Sequence, residues 1–458
     1  MHEGQADKDL AHKDLIKRDL PSWLSYIESL HPKSIAMGLE RVKSVIARLK
    51  LNPKFTIITV AGTNGKGSTC AMLEQIYLQA GYQVGCYTSP HLLRYNERVR
   101  VNGAEVADAH LCAAFSAIES ARIGNDSIGS DKIGDEKTSI QLTYFEVATL
   151  AAVWHFMQSG IDVAILEIGL GGRLDAVNAF EPHCTIVTSI DLDHQEFLGD
   201  TREKIGFEKA GIFRKGIPAI CGDDDPPQSL IQYAKSIQAD LKCIHQDFNY
   251  RHTGNGWEYL SGEQIKYTLL VPALKGEYQF NNASSAITAV ESLRHTLPVE
   301  QDAINKAILQ VTLAGRFQTV AKHANNDPKV ILDVAHNPHA ANALALNLKA
   351  YKQTNGKTFA VFAMLSDKDI QGVVEALKSE IDVWYIAGIE HIRAATAQEL
   401  ADTVVKVLPP ANIKVYESIA QAYSQACIDI SENDKIIVFG SFFTVSNVMQ
   451  VIQSSTNL

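Results

Sequence analysis

Residues 55–89 read as a β run, "FTIITVAG", a glycine-rich turn, "TNGKGS", a helical stretch, "STCAMLEQIYLQAG", and a second β run, "YQVGCYTS". A helix between two strands is the βαβ unit, so this stretch commits the chain to a largely parallel sheet. In the helical stretch Met72, Leu73, Ile76, Tyr77 and Ala80 fall on one face, and Gly81 stands where a helix is stopped by a left-handed C′ residue. "IDVAILEIG" (161–169) and "CTIVTSID" (184–191) are nearly continuous apolar runs, the pattern of strands covered on both faces. Each ends in polar residues, and open parallel sheets bind their ligands outside the carboxyl ends of their strands.

At 458 residues the chain is long for one core. The alternation restarts after residue 314 with "VILDVAHNP", a helix "HAANALALNLKAYK", "TFAVFAML", "DVWYIAG", a helix from Thr396, and "KIIVFGS" before a last helix. The expected architecture is therefore α/β in two domains. Residues 1–314 hold a mostly parallel sheet behind an N-terminal helical segment, and 315–458 form a smaller Rossmann-like α/β domain. "RIGNDSIGSDKIGDEKTS" (122–139) has no periodicity and reads as a surface loop or insertion.

The formal net charge is -10, so no overall basic field gathers nucleic acid, and an anionic ligand has to be held by local groups. Seven scattered cysteines without CxxC spacing read as reduced, buried thiols. The charged N-terminus lacks an apolar core and no run reaches membrane-spanning length, which makes the cytoplasm the expected compartment, with no membrane partner.

"GTNGKGS" carries the parts of a phosphate-binding loop: Gly62, Gly65 and Gly67 to turn backbone N–H groups toward phosphates, Lys66 to meet their charge, and the Ser68 hydroxyl for Mg²⁺. Its spacing departs from GxxxxGK[ST], with two residues between the first Gly and GK and an extra Gly before the hydroxyl. A plain glycine turn is the competing reading, and the lysine and hydroxyl together weigh against it. Ser89, Glu167 and His194 each follow a β run, so one sheet edge can bring them to the same cation. Any one of them alone is more often an ordinary polar group than a ligand.

"TVAGTNGKGSTC", "YTSPHLLRYNERVRV", "LTYFE", "LEIGLGGRLDAVN", "DLDHQEFLG", "EKAGIFR", "GRFQ" and "LDVAHNPHAA" stand in one order over roughly residues 20–450. Together they resemble the bacterial bifunctional dihydrofolate synthase/folylpolyglutamate synthase family of the Mur ligase superfamily. The resemblance implies an ATP-dependent ligase that adds L-glutamate to dihydropteroate and to reduced folates through an acyl phosphate; no extra interface element stands in the sequence, so a monomer is expected. It implies a triphosphate loop at Gly65, Lys66, Gly67 and Ser68, and Mg²⁺ ligands at Ser68, Ser89, Glu167 and His194. Lys209 matches the lysine this family carboxylates on Nζ, giving N6-carboxylysine as a further metal ligand. Asn282, Arg316 and Asp333 resemble ATP contacts, with Arg316 also catalytic beside Lys66, Lys209 and His194. The dihydropteroate pocket is implied at Met37, Gly38, Leu39 and Glu40, at Thr143, Tyr144, Phe145 and Glu146, and at Leu174, Asp175 and Ala176. His336 and Asn337 are implied on the glutamate side.

Ser68 stands where Thr is common in the family, and Phe443 in "GSFFTV" where His is frequent. Two other readings compete. A different Mur-type amino-acid ligase would need a nucleotide-sugar domain before the loop, and only 59 residues precede "VAGTNG". A nucleotide-dependent binding protein would need a base-specificity motif, and "INKAI" lacks the Asp of NKxD.

Overall fold

The computed structural model describes residues 18–33, 35–124, 139–320, 329–351, 356–391 and 394–456. The aperiodic stretch 122–139 lies almost wholly outside them. Two helices, Leu20–Ser29 and Glu40–Leu49, come first, with no strand between them, and pack on the helices Asp108–Ile123 and Tyr144–Gln158.

The first sheet contains β1 (Thr56–Ala61), β2 (Val84–Tyr87), β3 (Val99–Val101), β4 (Ala104–Glu105), β5 (Val163–Glu167), β6 (Cys184–Val187), β7 (Pro218–Cys221) and β8 (Asp240–Cys243), in the order β4-β3-β2-β5-β1-β6-β7-β8. From β2 to β8 the pairing is parallel, and only the β3 and β4 edge is antiparallel. β1 is central and every residue of it is buried, which is what its unbroken apolar run requires.

The helix after the phosphate loop, Lys66–Gln79, is not one-sided as its apolar spacing suggests. Ser68 through Glu74 are all buried, along with Ile76 and Tyr77. The helices Tyr278–Ser292 and Gln301–Gln310 cover its outer face, so it is an inner layer between the sheet and a second shell. Its Glu74 is tolerated there because Arg100 Nη2 donates to it at 2.7 Å. Gly81 does follow the helix, at φ +89°.

Three strands that the sequence alone did not single out, β9 (Phe248–His252), β10 (Trp257–Ser261) and β11 (Gln264–Leu269), form a separate antiparallel meander. Its buried Trp257 and Tyr259 close the outer side of the second helical shell.

The second sheet holds β12 (Gln318–Val320), β13 (Lys329–Leu332), β14 (Thr358–Phe362), β15 (Val383–Ala387), β16 (Ile413–Tyr416) and β17 (Lys435–Phe439), in the order β12-β13-β17-β14-β15-β16. All neighbours are parallel except β12 and β13. The helix expected from Thr396 runs Ala397–Val404, with Thr396 and Glu399 closing a capping box. No helix among the described residues is long and apolar enough to cross a membrane.

Candidate functional site

A cavity of about 690 Å³ opens between the two sheets. Its walls come from the segments that follow β1, β2, β5 and β6 of the first sheet and β13, β14 and β17 of the second, so both sheets turn their carboxyl ends to one space.

The phosphate loop forms one wall. Gly62 (φ +148°) and Gly65 (φ +88°) hold backbone conformations that a side chain would strain, and a Cβ would collide with Thr188 at the first and with Asn282 at the second. Gly65 is the N-cap of the helix Lys66–Gln79, whose free N–H groups therefore face the cavity with the positive end of the dipole. Lys66 Nζ donates to the carbonyls of Gly62 and Thr63, at 3.1 Å each, and lies over the loop. Ser68 is buried and its Oγ accepts from Gln279 Nε2 at 3.4 Å.

Glu167 ends β5 fully buried and accepts from the Ser89 backbone N–H at 3.1 Å. Burial raises its pKa, with Lys66 opposing. His194 sits at φ +50° as the N-cap of the short helix Gln195–Leu198, and burial pushes its imidazole down to about 4, keeping it neutral. Lys209 is 3% exposed in the helix Arg202–Ala210, and burial, assisted by the charge of Lys66, pushes its amine down to about 7. Across the cavity the Asp333 carboxylate accepts from the N–H groups of Phe317 (2.9 Å) and Ala335 (2.8 Å). Burial raises its pKa against the opposing charge of Arg316.

Ser68, Ser89, Glu167, His194, Lys209, Gly65, Lys66, Gly67, Arg316, Asp333 and His336 all line this one space. Met37, Thr143, Phe145, Glu146, Leu174, Asp175 and Ala176 line it as well. Six expected residues stand behind the wall. Gly38 donates its N–H to the Leu174 carbonyl, Leu39 and Glu40 begin the helix Glu40–Leu49, and Tyr144 lies under the Arg98 guanidinium. Asn282 backs Gly65 and donates to Gln279, while Asn337 caps the helix Pro338–Ala350.

"TYFE" has a structural use beside any binding one. Glu146 accepts from the Thr143 N–H at 2.7 Å in a capping box and pairs with Arg41 at 2.9 Å. Asp175 likewise holds the turn after β5, accepting from Gly169, Leu170 and Val177, and burial raises it to about 7.

Among the described residues no three His, Cys, Asp or Glu side chains cluster as a ready-made metal cage. The expected ligand set contains only two such residues, Glu167 and His194, with two hydroxyls beside them. It fits a hard divalent cation that completes its shell with phosphate oxygens and water, and does not fit a closed structural site.

Sequence reasoning missed several residues here. Asp193, next to His194, accepts from Lys368 Nζ, and His336 Nε2 lies 3.8 Å from its other oxygen. Asn64 of the loop bonds Asn337 and His339 of the second domain. Nothing in "SDKD" marks Lys368 as a cavity residue, whereas Asp193 stood inside a quoted motif.

Residues 60–290 match the Mur ligase middle domain and residues 315–442 the Mur ligase glutamate ligase domain. The fold and its cavity are thus of the Mur ligase class. The Dihydrofolate synthase/folylpolyglutamate synthase of Escherichia coli (strain K12) is 45% identical over 95% of this chain and 96% of its own. The structure of E. coli FolC in complex with DHPP and ADP superposes with a TM-score of 0.87 at 44% identity, covering 96% of this chain and 99% of that one. A bifunctional folylpolyglutamate synthase/dihydrofolate synthase with Mn, AMPPNP and L-glutamate bound gives a TM-score of 0.84 at 42% identity, over 96% and 99%. The chain belongs to the dihydrofolate synthase/folylpolyglutamate synthase family.

Proposed function

We propose that this chain is an ATP-dependent ligase that joins L-glutamate to dihydropteroate, making dihydrofolate, and to reduced folates, making folylpolyglutamates. The observation that carries the reading is the single cavity in which a phosphate loop from one domain meets His336 and Lys368 from the other. Residues 1–314 then act as the nucleotide and pterin unit and 315–458 as the amino-acid unit. One chain supplies every wall of the cavity, so the reading needs only a monomer, and the absence of a disulfide among the described cysteines suits a reducing cytoplasm.

A carboxylate does not condense with an amine at neutral pH, because its oxygen is a poor leaving group. One carboxylate oxygen of the pteroate therefore takes the γ-phosphoryl of ATP and ADP leaves. The amine of L-glutamate, having lost its proton, attacks the acyl carbon, and inorganic phosphate departs from the tetrahedral adduct. Phosphoryl transfer asks mainly for alignment and positive charge. Lys66 and the N-terminus of its helix supply that charge on the loop side, and Arg316 on the other. Asn282, from behind Gly65, and Asp333 are further ATP contacts. Met37 to Glu40, Thr143 to Glu146 and Leu174 to Ala176 form and back the pterin pocket, and His336 and Asn337 border the glutamate.

Mg²⁺ would be held by Ser68, Ser89, Glu167 and His194, with a carbamate on Lys209, and supplies charge neutralisation at the triphosphate. Burial pushes the Lys209 amine down to about 7, so a large share of it is unprotonated near neutral pH and nucleophilic toward CO₂, and the product is an anion that attracts the cation where an ammonium would repel it.

The test is phosphate release from ATP and Mg²⁺ with dihydropteroate or a reduced folate, each with and without L-glutamate. Sustained release is expected only with both co-substrates. Rapid hydrolysis that ignores the pteroate overturns the acyl-phosphate order, and release with one acceptor alone narrows the enzyme to one activity.

A further inference from the structure

Asp193 and Lys368 are 175 positions apart, in different domains, and meet at 2.5 Å with side chains only 11% exposed each. Asp193 follows β6, where Oδ1 also accepts from the His194 backbone N–H at 2.9 Å. Lys368 follows β14, one residue before the N-cap Asp369 of the helix Ile370–Leu377. Its position is therefore fixed by a strand end on one side and a helix start on the other. Facing the remaining carboxylate oxygen are His336 Nε2 at 3.8 Å and His194 Nε2 at 3.9 Å. One carboxylate thus gathers the side chain of Lys368, a ring from each domain, and the backbone that aims His194.

Two charges each only 11% exposed cost more to desolvate than a surface pair returns, and a hydrophobic pair of equal size would serve stability as well or better. A pair in the reaction cavity that joins the two domains calls for a use in aligning them.

We propose that Asp193 and Lys368 act as a positioning pair for the ligation, fixing the second domain over the phosphate loop so that the acyl donor and the incoming amine meet in line. The inference rests on the reaction proposed above. Neither side chain has to touch a reacting atom. Lys368 works through Asp193, and Asp193 works through Lys368 and the loop that carries His194. Loss of the tie leaves each domain folded and each substrate bound, and loses the alignment on which the bond-forming step depends, a step sensitive to displacements of about 1 Å.

The experiment is a double-mutant cycle with Asp193→Asn, Lys368→Met and the double variant of the full-length chain. It reads thermal unfolding, kcat and KM for each substrate, and the X-ray scattering profile with an ATP analogue bound. Either single variant leaves one buried charge without its partner, so both are expected to melt lower. The double variant leaves neither, so its melting temperature is expected to recover most of the loss. The kcat is expected to fall at least ~30-fold in all three, no further in the double than in the worse single, while KM for ATP stays within about twofold. The scattering profile is expected to broaden toward a more open molecule in all three.

A merely structural pair predicts the opposite for the double variant, recovery of kcat together with stability, and that result overturns the proposal. So does Asp193→Asn with full turnover while Lys368→Met loses it, since Lys368 would then be acting alone. If the wild-type chain makes no amide bond, the proposed function has failed, and scattering together with the melting cycle still report whether this pair sets the domain arrangement.

Discussion

Asn64 in the phosphate loop and Asn337 at the head of the helix Pro338–Ala350 exchange side-chain amide hydrogen bonds in both directions, at 3.2 and 3.1 Å. The same Asn337 oxygen accepts from the Ala340 N–H at 2.9 Å, so one residue both caps a second-domain helix and grips the first-domain loop. The first-domain wall and the second-domain wall of the cavity are thereby tied together at this point.

That double duty separates two substitutions. Asn64→Ala removes the inter-domain pair and the contact with His339, worth roughly 0.5–1.5 kcal/mol for each hydrogen bond. Asn337→Ala removes the pair and the cap, the cap alone being worth ~1 kcal/mol. Thermal unfolding is expected to place both variants below wild type, with Asn337→Asp, which keeps the capping oxygen and loses the donor, between wild type and Asn337→Ala. A melting temperature for Asn337→Asp as low as that of Asn337→Ala would show that the cap contributes nothing.

Lys66→Ala should lose at least ~3 kcal/mol of transition-state stabilisation, the scale of a preorganised charge at a transferring group, or roughly 100-fold in kcat. Among the described residues its Nζ bonds two carbonyls of its own loop and no other group, so thermal stability should change little. Single-turnover phosphate release measures the step directly, and near-normal turnover would remove the loop from the chemistry.

The sequence made legible what depends on neighbours along the chain. The strand, glycine-rich turn and helix at 56–79, the central strands and the helix after Thr396 are set by local patterns, and the structure has these elements at the expected positions. Layering was not legible: nothing in the spacing of Met72, Leu73, Ile76 and Tyr77 announces that the helix is buried on both sides, with Glu74 against Arg100 at the sheet edge and Ser68 against Gln279 of a second helical shell. The same limit hid Lys368 and Asn64, whose partners lie 175 and 273 positions away. It also hid the dual use of Glu146, since a capping box and a binding motif can share the same four residues.

Asp175 gives a pH dependence whose sign is opposite to that of a salt-bridged acid. Unfolded, its carboxyl releases a proton near 4, and folded, burial raises that to about 7. Between those values the folded chain keeps a proton that the unfolded chain has given up, so stability falls as pH rises through that window and is flat above it. Asp175→Asn cannot titrate, and the difference in unfolding free energy between wild type and variant should shrink, or reverse, from pH 4 to pH 7. Denaturant unfolding at a series of pH values measures it, and a constant difference would mean that the buried carboxyl ionises as it does in the open chain.

Lys209 tests the least visible chemistry of the site. Its amine is buried, lies near the charge of Lys66, and is pushed down to about 7, a setting that favours any reaction converting it to an anion. If it carries a carbamate, Lys209→Ala deletes an oxygen ligand, so the Mg²⁺ dependence of turnover should move to higher concentration and kcat should fall, with the fold preserved. Lys209→Arg should do no better, because a guanidinium keeps the positive charge and cannot be carboxylated. Acetate or formate added to Lys209→Ala should restore part of the rate, since a small carboxylate can return the missing oxygen. A ¹³C carbamate resonance, present in wild type under ¹³CO₂ and absent in Lys209→Ala, reports the group without reference to activity. Full turnover by Lys209→Arg, or a wild-type spectrum without that resonance, would make Lys209 an ordinary buried amine.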